Sequence, residues 1–455
     1  MGPIRDFRGE QVVESDPGYD EARAVFNAMV DRRPALIARC ADEEDVARAL
    51  AYARTAGLAV AVRAGGHSVA GLSLNDGGVV IDVRAMAEVT VDARRRVARC
   101  GAGATWSEFD LRTQAFGLAT TGGRVSSTGV AGLTLGGGSG WIERRHGLSC
   151  DNLVAVELVT AAGERARASE DENPDLFWAL RGGGGNFGVV TALEFRLHEI
   201  GPMVYAGLAL FDPADAHAVA TAFRDFHSPG PEEAGLALAF VTAPPAPFVP
   251  PEWQGRVMPA IAGMWAGSPQ DGAHALSGLL AAAQPVANVF GEMPYAEFQS
   301  MIDDPPGLRN WWTAEYLSDF PDEAVAEFCA FGAEMPASAT QLLLVPWGGA
   351  VARAEDTTPL AKRDAAWVIH PFAVWEGAER DAEHVAWGRS VRERFGPWTT
   401  GGTYLNFIGD EGQDRVRAAF GPAYDRLAAV KAEWDPDNVF HGNQNIAPAA
   451  VGASG

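Results

Sequence analysis

Lysine is nearly missing from this sequence. Of its 36 basic Lys and Arg residues only Lys362 and Lys431 are lysines, and neither follows a glycine-rich loop, which excludes the phosphate-cradling lysine of a P-loop nucleotide hydrolase. Cysteine is scarce as well. Four of them (Cys40, Cys100, Cys150 and Cys329) in 455 residues, none in a CxxC pair, build neither a disulfide framework nor a zinc site of the usual spacing. No stretch approaches the ~20 consecutive apolar residues of a membrane span, and the opening MGPIRDFRGE lacks the apolar core of a secretory leader. The chain therefore reads as cytoplasmic. Positive charge is in deficit: 36 basic against 59 acidic residues leave a formal charge of −23, which repels nucleic-acid phosphates and anionic lipid. That excludes nucleic acid and membrane as main partners and leaves small molecules.

What is present suits a folded protein. With 47% hydrophobic and 21% charged residues the chain can bury large cores, and 455 residues at roughly 150 per domain suggest more than one domain. Asp42–Arg54 has the apolar period of a helix behind an Asp cap, and Leu58–Arg63 follows as a strand that stops at Gly65-Gly66. Val79–Val83 and Val97–Cys100 are further strands, and Thr105-Trp-Ser-Glu108 is a capping box opening a helix over Trp106–Phe116. Between 117 and 188 glycine is dense, as in Gly136-Gly-Gly-Ser-Gly140 and Gly182-Gly-Gly-Gly185. Such loops sacrifice packing and chain entropy, and they serve where backbone N–H groups must approach something bulky or anionic. The interleaved Leu133, Leu135, Trp141 and Ile142 argue against a flexible linker.

Beyond Leu197 the texture changes. Met203–Phe211, Leu236–Thr242, Met258–Trp265, Gln341–Trp347 and Trp367–Trp375 read as strands, and Ala214–Phe226, Ala273–Ala283 and Ala324–Met335 as helices. This is an α+β pattern, an antiparallel sheet covered on one face by helices. A last helix is expected over Arg415–Trp434. The chain divides into 1–200, 201–400 and a C-terminal segment 401–455.

Two familiar motifs fail on context. Gly183-Gly-Gly-Asn-Phe-Gly188 spells GxGxxG, but a strand, Val189–Leu197, follows it where a dinucleotide fold needs a helix. Gly66-His-Ser-Val-Ala-Gly71 is one residue too long for a nucleophile elbow. His146 and Cys150 are four apart, yet two ligands alone do not make a metal site. His67 stands at the mouth of a turn whose free N–H groups suit a phosphate, and Cys150 closes Gly147-Leu-Ser-Cys-Asp-Asn152.

Taken together, these neighbourhoods resemble the berberine-bridge-enzyme-like group of the vanillyl-alcohol-oxidase superfamily, FAD-linked oxidases with a two-domain PCMH-type FAD-binding fold. The resemblance rests on Arg63-Ala-Gly-Gly-His-Ser-Val-Ala-Gly71, Gly129-Val-Ala-Gly-Leu-Thr-Leu-Gly-Gly-Gly138, the Cys150 motif, Asn173–Gly188, Tyr404-Leu-Asn-Phe407 and Asn443-Gln-Asn-Ile446. It implies FAD attached twice, by His67 to the 8α-methyl carbon and by Cys150 to carbon 6. Both bonds need a deprotonated nucleophile, so neutral imidazole and thiolate are expected, the thiolate aided by glycine-loop donors. It also implies that Ala64, Gly65, Gly66, Ser68 and Gly71 lie on the pyrophosphate. Gly123, Thr128, Gly129, Gly132 and Gly136 would run along the flavin, with Val190 near the adenine and Asn406 and Asn443 closing the far side.

Tyr404 occupies the family's position for the base that takes the substrate's hydroxyl proton while hydride passes to flavin N5. A phenol near pKa ~10 must then be stabilised as phenolate. Thr128 sits where the family controls oxygen access. The implied activity is oxidation of a hydroxyl, or a related C–H, of a sugar, glycoside or natural product, with dioxygen reduced to hydrogen peroxide. A dehydrogenase or oxidative cyclase of the same group, and a redox-silent FAD-containing binding protein, are the alternatives. Among the sheet aromatics Trp312, Tyr316, Trp347, His370 and Trp375, none is singled out as a contact.

Overall fold

A computed structural model describes residues 2–303, 306–354 and 357–450. Its N-terminal part holds two sheets. In the first, Leu36–Arg39 and Val60–Arg63 flank Val79–Asp82 in parallel, and Glu10–Val12 runs antiparallel outside. Ile37, Val79, Val80 and Ile81 are fully buried, the near-continuous apolar run that a parallel strand covered on both faces requires. The crossover between the outer pair is the helix Glu43–Ala56, whose cap Asp42 accepts from the Asp45 N–H (3.1 Å) and which ends at Gly57 with φ +64°. Ala64–Ser68 therefore leaves the carboxyl end of a parallel strand, where such sheets gather ligands. The second sheet is antiparallel, in the order Val89–Asp92, Val97–Gly101, Val189–Arg196, Leu153–Val159 and Arg165–Ser169.

The third sheet has nine strands and is antiparallel throughout. Its centre pairs Met203–Phe211, Val257–Trp265, Ala234–Thr242, Gln341–Pro346 and Trp367–Trp375. The helices Ala216–Phe226, Pro269–Leu280, Asp322–Ala333 and Asp381–Arg389 cover one face. Strand alternation sends Leu342, Leu344, Ile369 and Ala373 into that helix-covered core and turns Leu343, Val345, His370 and Phe372 the other way, toward the glycine loops. Burying each large apolar side chain contributes roughly 1.5–3 kcal/mol, so the register is firmly held. A slip of one residue would exchange the two faces.

The strands expected from sequence are present within two residues at either end, and the capping box at Thr105 is made. Two helices differ. The one expected at Ala273–Ala283 begins at Pro269, because Ser268 caps it through the Asp271 N–H (3.1 Å) and proline suits the first turn. The single helix expected over Arg415–Trp434 is two, Gln413–Phe420 and Tyr424–Trp434, broken where Gly421 takes φ +50° ahead of Pro422. No helix among the described residues is long and apolar enough to cross a membrane.

Candidate active site

A cavity of about 340 Å³ separates the glycine loops from the open face of the nine-stranded sheet, far more space than a packing void offers and within the range of ligand sites. Ala64, Gly65, Gly66, His67 and Ser68 line it from one loop. Gly123, Thr128, Gly129, Gly132 and Gly136 line it from a second, Val190 from the strand behind, and Asn406 and Asn443 from the C-terminal segment. Gly71, Cys150 and Tyr404 are not among its lining residues.

The glycines let two loops meet edge to edge. A Cβ on Gly65 would lie 2.3 Å from the Gly129 nitrogen, and one on Gly129 would lie 2.4 Å from that of Gly65. Among the described residues, the N–H groups of Gly65, Gly66, His67 and Ser68 donate to no protein acceptor, so consecutive amides stand free as an anion-binding nest. The sequence did not single out Arg63. It is buried beneath this loop and grips the Ala22 and Ala24 carbonyls at 2.5 Å each, which fixes the strand end from which the nest departs. Gly71 acts from behind: at φ +70° its N–H donates to the Ser68 carbonyl (3.0 Å) and closes the turn.

His67 faces the cavity with its ring stacked on Phe26 at 4.2 Å. Its ring nitrogens lie 3.1 Å from Ser127 Oγ and 3.4 Å from Thr128 Oγ1. Burial pushes its pKa down to about 4 against a weaker pull from Asp303, so the imidazole is neutral, as a nucleophile must be.

Cys150 departs from expectation. It is fully buried, with its N–H on the Gly137 carbonyl (2.8 Å) and its carbonyl accepting from Arg181 Nε (3.0 Å). Burial, then the Asp151 carboxylate 3.7 Å from Sγ, push the thiol well above its usual range, and Arg363 and Arg181 only partly oppose this. The contact that the sulfur makes among the described residues is with Asp151 Oδ1. His146, four residues earlier, stacks on His198 at 3.8 Å.

Tyr404 is also off the cavity wall. Its oxygen accepts from the Gly138 N–H (2.5 Å), the Ser139 N–H (2.9 Å) and Asn406 Nδ2 (3.0 Å). Burial raises its pKa and these three donors oppose the rise. A neutral phenol oxygen accepts at most two hydrogen bonds, so three incoming N–H groups are the arrangement that favours a phenolate, the stabilisation a base at this position requires. Tyr404→Phe strands those donors and is expected to lower stability by about 1–3 kcal/mol, read by thermal unfolding. An unchanged melting curve would refute this bracing role.

The C-terminal segment is locked to the glycine loop Gly182–Asn186 by a buried cation. Lys431 Nζ donates to the carbonyls of Asn186 (2.7 Å) and Phe440 (3.0 Å) and to Asp435 Oδ2 (2.6 Å). Asn443 then reaches the cavity rim, where its Oδ1 is buried without a protein partner. The opposite wall is the sheet: Trp312, Gln341, Leu343, Val345, His370 and Phe372. Of the other aromatics noted in the sequence, Tyr316 and Trp347 pack beside Tyr404, and Trp375 stacks on His384.

Residues 34–169 match the family model described as "FAD binding domain", and residues 403–447 the one described as "Berberine and berberine like". (R)-6-hydroxynicotine oxidase of Paenarthrobacter nicotinovorans is 31% identical over 97% of each chain. The chain belongs to the berberine bridge enzyme-like family of FAD-linked oxidoreductases. The solved structure of 6-hydroxy-D-nicotine oxidase from Arthrobacter nicotinovorans superposes with a TM-score of 0.88 at 28% identity, covering 98% of this chain and 99% of that one. Glucooligosaccharide oxidase from Acremonium strictum, whose structure is described with a 6-S-cysteinyl, 8α-N1-histidyl FAD, shares the fold with a TM-score of 0.81 at 24% identity, covering 97% of this chain and 98% of that one. The berberine bridge enzyme-like cavity fits FAD on its own geometry. Free consecutive amides suit a pyrophosphate, and the unpartnered Asn443 oxygen suits a hydroxyl or amino donor.

Proposed function

We propose that this FAD-linked oxidoreductase oxidises a carbon bearing a hydroxyl or amine on a compact, largely apolar natural product, with dioxygen reduced to hydrogen peroxide. FAD supplies the hydride acceptor. His67 carries the covalent attachment in this reading, and the nest Gly65–Ser68 holds the pyrophosphate. Thr128, beside His67 on the cavity wall, borders the route for oxygen.

The observation that carries the substrate class is the sheet wall. Its lining side chains are Trp312, Leu343, Val345 and Phe372, with Gln341, His370 and the Trp312 indole N–H, already donating to Asn310 Oδ1, supplying the polar atoms from the strands. A sugar seated there would leave most of its hydroxyls without partners, each at a cost of about 1–3 kcal/mol. A ring with one or two polar groups loses little. This narrows the sequence expectation to the natural-product or aglycone end of the range.

The test is anaerobic bleaching of the flavin by cellobiose, 1-phenylethanol and 2-phenylpyrrolidine, followed by peroxide assay on readmitting air. The apolar alcohol or amine should reduce the flavin faster than cellobiose, and peroxide should appear in step. Faster reduction by cellobiose overturns the substrate class; a reduced flavin that persists for minutes in air overturns the oxidase.

A further inference from the structure

We propose that Phe26 is the residue that positions His67 for attachment to FAD, and that Ser127 is the hydroxyl through which the displaced imidazole proton leaves. This rests on the covalent attachment at His67 proposed above.

A histidine on a glycine loop is poorly constrained by its own backbone. Gly65 and Gly66 precede His67, and the amides of the nest, free among the described residues, do not tie the loop down. What holds it comes from the N-terminal segment. The Phe26 N–H donates to the Gly66 carbonyl (3.2 Å), and its ring stacks on the His67 imidazole at 4.2 Å and 20°. Trp312 of the sheet wall meets the other side of this contact, with its ring 6.2 Å from that of Phe26 and steeply inclined to it. Phe26 is buried, wedged between the cofactor loop and the substrate wall.

Asn27 fixes the segment that presents it. Its Nδ2 donates to the carbonyls of Val69 (2.8 Å) and Asn310 (2.9 Å), and its Oδ1 accepts from the N–H groups of Met29 (3.0 Å) and Asn310 (3.0 Å). Four bonds use every donor and acceptor that a buried amide has, so the segment is tied to the His67 loop on one side and to the sheet on the other. A flat ring held this way leaves the imidazole one plane to occupy. Orientation of that kind turns two groups that share a cavity into reactants.

The two ring nitrogens are not equivalent. Ser127 Oγ is 3.1 Å from Nε2, a hydrogen bond, whereas Thr128 Oγ1 is 3.4 Å from Nδ1, beyond the usual range. Nδ1 is therefore the freer nucleophile, and in the neutral ring that burial enforces it carries the lone pair when the hydrogen sits on Nε2. A hydroxyl suits Nε2 before and after reaction: it accepts from Nε2–H, then donates to the bare nitrogen once the ring is alkylated. Ser127 is exposed, so the proton passes on to water.

The step balances. The C8α–Nδ1 bond forms, while one C–H bond of the 8α-methyl group and the Nε2–H bond break. The two electrons and two protons released reduce dioxygen to hydrogen peroxide, the acceptor that the proposed oxidation uses as well.

Protein purified soon after induction, incubated in air with FAD and acid-precipitated at intervals, gives the attached flavin as a fraction of all flavin bound. A variant that merely folds or binds FAD less well lowers the total and leaves the rate at which that fraction grows unchanged. In Phe26→Leu, which keeps apolar bulk and lacks a flat face, attachment should be about 2- to 10-fold slower than in the wild type, the worth of one aromatic pair, and Phe26→Tyr should restore the wild-type rate. Ser127→Ala should slow attachment by a similar factor of about 2- to 10-fold, the worth of one hydrogen bond, and Ser127→Thr should restore it. A wild-type rate in Phe26→Leu overturns the positioning role, and a wild-type rate in Ser127→Ala overturns the proton route. A wild type that releases all its flavin on precipitation overturns the attachment at His67 and both roles with it, an outcome distinct from the other two.

Discussion

Denatured wild-type protein is expected to carry one covalently bound FAD, His67→Ala none, and Cys150→Ala one. Intact mass spectrometry after acid precipitation reads all three. The reasoning starts from access. His67 stands on the cavity wall with a ring that burial keeps neutral at about pKa 4, while Cys150 lies outside the lining with a thiol that burial and Asp151 hold protonated. A nucleophile needs both reach and a free electron pair. Only the histidine has them. A single attachment at His67 would set this chain apart from glucooligosaccharide oxidase, whose structure is described with a 6-S-cysteinyl, 8α-N1-histidyl FAD. Retention of the FAD mass in His67→Ala would show that a second residue, Cys150 foremost, also bonds the isoalloxazine, and its loss from Cys150→Ala would overturn the assignment of the attachment to histidine alone.

Lys431→Met should destabilise the fold severely, by about 3–5 kcal/mol. Lys431 and Asp435 are both fully buried, and removing the ammonium leaves a carboxylate in the core with only the Val439 and Phe440 amides for partners. Set against a typical total of about 5–15 kcal/mol, that is a large share. The carbonyls of Asn186 and Phe440 lose their donor at once, so the cavity rim at Asn443 loosens as well. Chemical denaturation of the FAD-loaded protein gives the number. The double variant Lys431→Met/Asp435→Leu should recover part of it, because no bare charge remains while the two amides still go unpaired. A loss below about 1 kcal/mol in the single variant, the size of an exposed ion pair, would refute a buried, indispensable pair.

How much of this was legible in the sequence depends on range. Strands such as Met203–Phe211 and Trp367–Trp375 were readable because alternation and β-branching are local. The glycine loops were readable because their density has few other uses. The break at Gly421-Pro422 was overlooked because the apolar period continues across it, although proline and a positive-φ glycine were there to be seen. Cys150 and Tyr404 belong to motifs that place them near the flavin, but whether a side chain faces the cavity or the layer behind it is decided by neighbours such as Asp151 and the Gly138–Ser139 amides. Lys431 and Asp435 have the spacing of an ordinary exposed helix pair, and nothing local announces that both are sealed.

That sealing has a practical corollary. With Lys431 inaccessible and Lys362 exposed, a mild amine-reactive reagent meets one side-chain handle on the folded protein. Dyes, biotin or an activated resin would therefore attach at a single defined spot besides the chain terminus, and every molecule immobilised through it would present the same orientation.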